Sequence, residues 1–81
     1  MEIKILGSGC AKCKKLEQAV RNAVEELGYD ADITKVEDIM EIMKYGIAIT
    51  PAMVVDGKVM LKGRTASIEE IKKLLAFDDK P

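Results

Sequence analysis

The segment Gly7-Ser8-Gly9-Cys10-Ala11-Lys12-Cys13 joins two stretches of different periodicity. Before it, Ile3 and Ile5 alternate with charged residues, and this alternation is typical of a short β-strand. After it, apolar residues recur at spacings of three and four, which predicts an amphipathic helix; they are Leu16, Ala19, Val20, Ala23, Val24 and Leu27. We therefore expect both cysteines where a strand passes through a glycine-rich turn into a helix.

The residues that follow the first helix predict a second strand and a short second helix. Gly28 fits the position that ends many helices, and the alternation after it predicts a strand that runs to about Val36. Asp38 and Glu41 are spaced as a capping box ahead of an apolar cluster, which predicts a helix start. Gly46 predicts the end of that helix.

The last third of the chain predicts a β-hairpin and a third helix. Pro51 precedes an apolar run, Asp56-Gly57 is a strong hairpin-turn signal, and the residues after it alternate again. Ser67 and Glu70 repeat the capping-box spacing before a final amphipathic segment. The predicted order is βαβαββα, an α/β fold with a four-stranded mixed sheet and three helices, because each one-sided helix must cover a sheet face.

Four methionines invite a metal or sulfur interpretation, but their spacing is that of ordinary core residues. We expect these side chains in the core, where methionine commonly fills gaps; they are Met40, Met43, Met53 and Met60. Tyr29 and Tyr45 stand next to glycines at predicted helix ends, and we expect their rings to cover those ends.

Length and charge restrict the classes of function. The chain has 81 residues, which is room for one domain, and we expect residues 1–77 to form it and the polar tail 78–81 to fray. Thirteen basic and fourteen acidic residues give a net charge of −1, so nothing in the charge favours nucleic acid or an anionic membrane as a partner. No apolar run approaches the roughly 18 residues of a membrane span, and we expect a cytoplasmic protein.

The chemistry of the chain centres on its two cysteines, because it has no histidine. Cys10 is predicted at the positive end of a helix dipole, where the thiolate is favoured, and Lys12 inside the motif is expected to lower the pKa of that thiol further. Cys13 shares the apolar face of the helix, so we expect it to be more buried and to act second. Cys10 is the predicted nucleophile and Cys13 the predicted resolving thiol.

Other interpretations of the two cysteines are a structural cross-link, reduced core residues, a metal carrier or a redox-gated binding module. A structural cross-link is poorly favoured, because a four-residue ring restricts the unfolded chain by only roughly 2 kcal/mol. Two reduced core cysteines would suit Cys13 but not Cys10 in its glycine-flanked turn. A Cu(I) or Zn(II) carrier, or a redox-gated binding module, could use the same dithiol. Compact copper carriers run βαββαβ and usually have methionine where this chain has Ser8, so dithiol redox chemistry is favoured and no metal is expected.

Over residues 2 to 77 the chain resembles the thioredoxin-like fold, with Thr50-Pro51 before the predicted hairpin and Gly63 after its second strand. It is most similar to the very small thioredoxin-like or glutaredoxin-like proteins of archaea and anaerobic bacteria called redox-active disulfide protein 2. The resemblance implies that Pro51 is cis and faces the dithiol, that the backbone of Thr50 pairs with an extended substrate, and that Gly63 lies near the substrate groove.

The resemblance also implies an activity and a set of partners. It implies a thiol-disulfide oxidoreductase that exchanges a Cys10–Cys13 dithiol or disulfide with protein disulfides. The expected partners are disulfide-bearing proteins and an electron donor of the thioredoxin-reductase type. We expect a monomer that needs no cofactor and binds neither nucleic acid nor membrane.

Overall fold

A computed structural model describes residues 1–7, 11–47 and 49–78 of the chain, and all structural statements refer to these residues. Four strands and three helices alternate in the predicted order βαβαββα. Their bounds are β1 Glu2–Leu6, α1 Ala11–Leu27, β2 Asp32–Val36, α2 Ile39–Met43, β3 Ala52–Val55, β4 Lys58–Lys62 and α3 Ile68–Asp78. Helix α3 includes Asp78, which we expected in the frayed tail 78–81. Residues 79–81 lie outside the described part of the chain.

The four strands form one mixed sheet in the order β2-β1-β3-β4. Strand β1 pairs parallel with β2 and antiparallel with β3, and β3 pairs antiparallel with β4. The hairpin between β3 and β4 turns through Asp56 and Gly57, which both have positive φ angles of 49° and 84°. The sheet confirms the predicted thioredoxin-like α/β architecture, with β1 and β3 at its centre.

The helices cover the two faces of the sheet unequally. Helices α1 and α3 share one face, where a large core forms; its fully buried members include Ile3, Leu16, Val20, Met53, Val55, Ile71 and Leu75. The smaller core on the other face is made with α2 and consists of Leu6, Ile42, Ile47, Ala52 and Val54. Successive residues of β3 point to opposite faces of the sheet, and a core covers each face. All four residues of the strand are therefore buried, and the strand has no polar side.

Two of the four methionines are not in the core. Met53 is fully buried and Met60 packs against the large core, as expected, but Met40 and Met43 are 67% and 62% exposed. The prediction is wrong there because α2 has only five residues and buries only Ile42. One helical turn can direct a single side chain at the sheet, so its other apolar residues face outward.

Each predicted capping box is half formed. Asp38 accepts a hydrogen bond from the backbone N–H of Met40 at 2.9 Å, and Ser67 Oγ accepts one from the N–H of Glu70 at 3.2 Å. The acidic member of each box contacts a cation: Glu41 binds Lys44, and Glu70 binds Arg64. Asp38 and Ser67 thus cap the starts of α2 and α3, while the two glutamates pair with nearby cations instead of completing the capping boxes.

A hydrogen bond from β1 anchors the chain after α2. Lys4 Nζ donates to Tyr45 Oη at 3.0 Å and lies 5.7 Å from the centre of the tyrosine ring. This hydrogen bond, more than the charge of Glu2, raises the pKa of Lys4 above its ordinary value. Tyr45 thus fixes the segment that leads from α2 toward Thr50.

The methionines provide a direct test of this packing. Met53→Ala removes a fully buried side chain and is expected to lower the free energy of unfolding by about 2–5 kcal/mol. Met40→Ala is the matched control, and because its side chain is exposed we expect a change within about 0.5 kcal/mol. Urea denaturation followed by circular dichroism measures both. Equal losses would contradict the assignment of Met40 to the surface.

Candidate functional site

Helix α1 buries the second cysteine of the motif at the edge of the large core. Cys13 is the third residue of α1 and is 5% exposed, on the same side as the fully buried Leu16 and Val20. Cys10, the predicted nucleophile, lies outside the described residues, immediately before α1 in the chain. Of the two cysteines of the motif, the structure therefore describes Cys13, which is buried as its helical periodicity predicts.

Gly7, the residue after β1, lies next to Cys13 of α1. The Gly7 N–H donates to the carbonyl of Val36 at 2.9 Å, which extends the β1–β2 pairing by one residue. A Cβ built on Gly7 would lie closer than 3.0 Å to Cys13 Sγ and 3.7 Å from Thr50 Cβ. Gly7 therefore lies next to both the cysteine of α1 and Thr50 in the loop before β3.

The loop before β3 ends at Pro51, the proline that the resemblance predicts to be cis. The peptide bond between Thr50 and Pro51 is cis, and Pro51 is buried. The Pro51 carbonyl accepts a hydrogen bond from the Gly63 N–H at 2.9 Å. Gly63 has a φ of 75°, a backbone conformation that favours glycine. Through these contacts the fold brings Cys13, Thr50, Pro51 and Gly63 into one region.

Two shallow grooves flank this loop. The larger, of about 500 Å³, lies between α2 and Thr50; the side chains of Ile39 and Met43 line it. The smaller, of about 430 Å³, is lined by Ile49 and Gly63 among others. Ile39, Met43 and Ile49 form what we call the apolar rim, and each is more than 60% exposed. An apolar surface thus borders the cis peptide bond on two sides.

The start of α1 is electropositive. Its first turn lies in the described part of the chain and contains no acidic residue, while Lys12, Lys14 and Lys15 are all exposed. Backbone N–H groups at a helix N-terminus favour an adjacent anion, and these cations act in the same direction. Lys12 is exposed and is not among the described residues that line the two grooves.

Arg64 has a structural role that the sequence did not indicate. Its guanidinium donates to both carboxylate oxygens of Glu70, and Nη1 also reaches the carbonyl of Thr65 at 3.1 Å. These hydrogen bonds lower the pKa of Glu70 below its ordinary value. The loop that follows Gly63 is thereby attached to the first turn of α3. Only spatial proximity could reveal this pair, because its spacing of six residues matches no helical pattern.

The described residues give no indication of a metal centre or a membrane span. They contain no group of three or more His, Cys, Asp or Glu side chains that could hold a metal ion. Among them, too, no helix has the length and apolar character needed to cross a bilayer.

The fold and the cysteine at the start of α1 define a protein of the thioredoxin-fold class. The family model described as a thioredoxin domain matches residues 1–76. The chain belongs to this family, and the resemblance inferred from the motif, the Thr-Pro and the hairpin is confirmed.

Two archaeal relatives agree with the family. A protein named thioredoxin from Methanothermobacter thermautotrophicus is 46% identical over 76 residues, which cover 94% of this chain and 99% of the relative. A thioredoxin from Methanocaldococcus jannaschii is 44% identical over 73 residues, covering 90% and 84%. The chain is thus a small thioredoxin-like redox protein. The alternative of a Cu(I) or Zn(II) carrier is not supported. The order of helices and strands in this chain is βαβαββα and differs from the βαββαβ order of compact copper carriers.

The Arg64–Glu70 pair predicts a pH effect. Arg64→Met is expected to raise the pKa of Glu70 toward its ordinary value of 4.5, because it removes the guanidinium that binds the carboxylate. A lowered carboxyl pKa stabilises the folded state above the unfolded pKa, and that contribution disappears as the pH falls through the folded value. The variant should therefore lose less stability on acidification.

Carbon-detected NMR titration of the Glu70 carboxyl measures the shift. Lys44→Met is the matched control, since it removes one cation from the neighbourhood of Glu41 and leaves Arg64 in place. If Lys44→Met raised the pKa of Glu70 as much as Arg64→Met does, the Arg64–Glu70 contact would not be the cause of the lowered pKa.

Proposed function

We propose that this protein is a thiol-disulfide oxidoreductase that reduces disulfides in protein substrates. The observation that carries the proposal is the burial of Cys13 against Gly7, beside the cis Thr50–Pro51 peptide. A sulfur in that position is sheltered from external reagents, whereas a thiol directly before α1 is next to the unsatisfied N–H groups of the helix. The two cysteines of the motif are thus suited to different steps.

The reaction consists of two exchanges. The Cys10 thiolate attacks one sulfur of the substrate disulfide, forms a mixed disulfide and releases the other substrate sulfur as a thiolate. The Cys13 thiolate then attacks Cys10 Sγ, which closes the Cys10–Cys13 disulfide and expels the second substrate thiolate. Two electrons pass from the protein to the substrate, and no cofactor is required.

The surroundings of the cis peptide suit an extended polypeptide. We propose that the backbone of Thr50 pairs with the substrate, and that Pro51 and Gly63 shape the groove beside it. The apolar rim supplies exposed Ile39, Met43 and Ile49 on either side, so substrate segments with apolar side chains are favoured. Surface of this kind selects proteins rather than small charged disulfides.

The cycle needs a second partner that restores the dithiol. An electron donor of the thioredoxin-reductase type, which itself carries a reactive dithiol, can reduce the Cys10–Cys13 disulfide by the same exchange. We place the reaction in the cytoplasm, where such donors keep thiols reduced.

Trapping with cysteine variants tests the proposal. Cys13→Ser is expected to stall as a mixed disulfide between Cys10 and a disulfide-bearing protein, because the resolving thiol is missing. Cys10→Ser should form no such adduct and should not accelerate disulfide reduction beyond the rate with dithiothreitol alone. Non-reducing electrophoresis and intact mass spectrometry detect the adducts.

The double variant Cys10→Ser/Cys13→Ser controls for non-covalent association. Tight anaerobic binding of Cu(I) by the wild-type protein, together with no disulfide reduction, would instead favour the metal-carrier alternative.

Lys12 is proposed to tune the nucleophile by its charge. Lys12→Glu is expected to raise the pKa of Cys10, since it replaces a cation near the thiolate by an anion. A less stable thiolate disfavours the dithiol state, so the variant should also be more reducing. Thiolate absorbance at 240 nm against pH and equilibration with glutathione measure the two effects. Lys73→Glu makes the same charge change on α3, and an equal shift there would refute a local effect of Lys12.

A further inference from the structure

The absence of a side chain at Gly7 has a specific consequence for Cys13. A Cβ at this position would lie closer than 3.0 Å to Cys13 Sγ, a separation that real Cβ atoms essentially never show. It would also lie 3.3 Å from Cys13 Cβ, which is a tight but tolerable distance. The conflict is therefore severe at the sulfur and slight at the Cβ of the same cysteine.

The elements on both sides of this contact are held firmly. Gly7 is fixed by its N–H bond to the Val36 carbonyl and by the β1–β2 register up to Leu6. Cys13 is fixed by α1, whose Leu16 and Val20 are fully buried one and two turns farther along. Since neither backbone can retreat without breaking the core, a methyl group at residue 7 must displace the sulfur.

The direction of that displacement is constrained by the loop before β3. The same Cβ would lie 3.7 Å from Thr50 Cβ, in ordinary van der Waals contact. Cys13 and Thr50 therefore both border the space that a side chain at residue 7 would enter. Glycine at this point sets where the sulfur of Cys13 lies relative to the cis Thr50–Pro51 peptide.

We propose that Gly7 is a positioning residue for the second exchange, in which Cys13 displaces the substrate sulfur from Cys10. This inference rests on the proposed function. Attack on a disulfide requires the incoming sulfur to approach in line with the S–S bond, and a misplacement of about 1 Å can slow such a step roughly 100-fold. The first exchange uses Cys10 alone, so a change at residue 7 should leave it nearly unaffected.

A two-step reagent separates the exchanges. One equivalent of 5,5′-dithiobis(2-nitrobenzoate) reacts with the Cys10 thiolate and releases one coloured nitrothiobenzoate, leaving the other in a mixed disulfide with Cys10. Attack by Cys13 then forms the Cys10–Cys13 disulfide and releases the second. Stopped-flow absorbance at 412 nm should show, for Gly7→Ala, a first release within about 2-fold of wild type and a second release slowed roughly 100-fold.

Gly28→Ala is the matched control. Gly7 has a φ of 157° and Gly28 one of 71°, and both values lie in the range that favours glycine. Nothing lies within 4 Å of a Cβ built on Gly28. Gly28→Ala therefore also puts a side chain at a positive φ, but without a contact to the sulfur, and both releases should stay near the wild-type rate. Equal slowing of both releases by Gly7→Ala, or of neither, would overturn the proposal.

A stability cycle tests the contact independently of the redox chemistry. Gly7→Ala is combined with Cys13→Ala, which removes Sγ and leaves only the 3.3 Å contact to Cβ. The strain of alanine at the φ of 157° is the same in both backgrounds and cancels in the comparison. The drop in urea midpoint caused by Gly7→Ala should therefore be smaller in the Cys13→Ala background than in the wild type. The same drop in both backgrounds would overturn the contact.

The two experiments also separate the proposals. A wild-type protein that releases no nitrothiobenzoate in the first step would refute the oxidoreductase function, and the positioning role with it. The stability cycle would still report whether the sulfur and Gly7 meet.

Discussion

The close approach of a helix to a strand end is the constraint on which the site depends. The sulfur of Cys13 lies against the backbone of Gly7, so the start of α1 and the end of β1 can meet only if residue 7 has no side chain. The same glycine continues the β1–β2 pairing through its N–H. One residue therefore contacts the sheet, the helix that carries Cys13 and, at Thr50, the loop with the cis peptide.

The unequal covering of the sheet explains where a substrate could bind. Two helices seal one face over a core that includes both central strands, whereas one turn of α2 covers part of the other. The residues of α2 that cannot reach the sheet remain exposed beside Thr50 and form most of the apolar rim. A short helix thus leaves apolar surface next to the reactive region, which a longer helix would have buried.

Two polar side-chain contacts among the described residues hold loops of this small protein. Lys4 fixes Tyr45 after α2, and Arg64 attaches the loop after Gly63 to Glu70 of α3. The Arg64–Glu70 ion pair is exposed, and exposed ion pairs contribute little to the free energy of unfolding. The effect of both contacts is positional. Lys4 restrains the segment that leads to the cis Thr50–Pro51 peptide, and Arg64 restrains the loop after Gly63, whose N–H binds the Pro51 carbonyl.

The sequence by itself determined the order and type of the elements, because periodicity, caps and turn residues act over a few neighbouring positions. The strand before Gly7, the helix that buries Cys13 and the Asp56-Gly57 hairpin are all local patterns. The exposure of Met40 and Met43 could not be predicted from neighbouring residues. The segment around them is apolar on several sides, and only the position of the sheet decides which side of the helix is covered. The contact of Gly7 with Cys13 and the Arg64–Glu70 pair depend on how separate elements dock. Tertiary structure alone decided them, because such contacts arise from distances that no sequence spacing encodes.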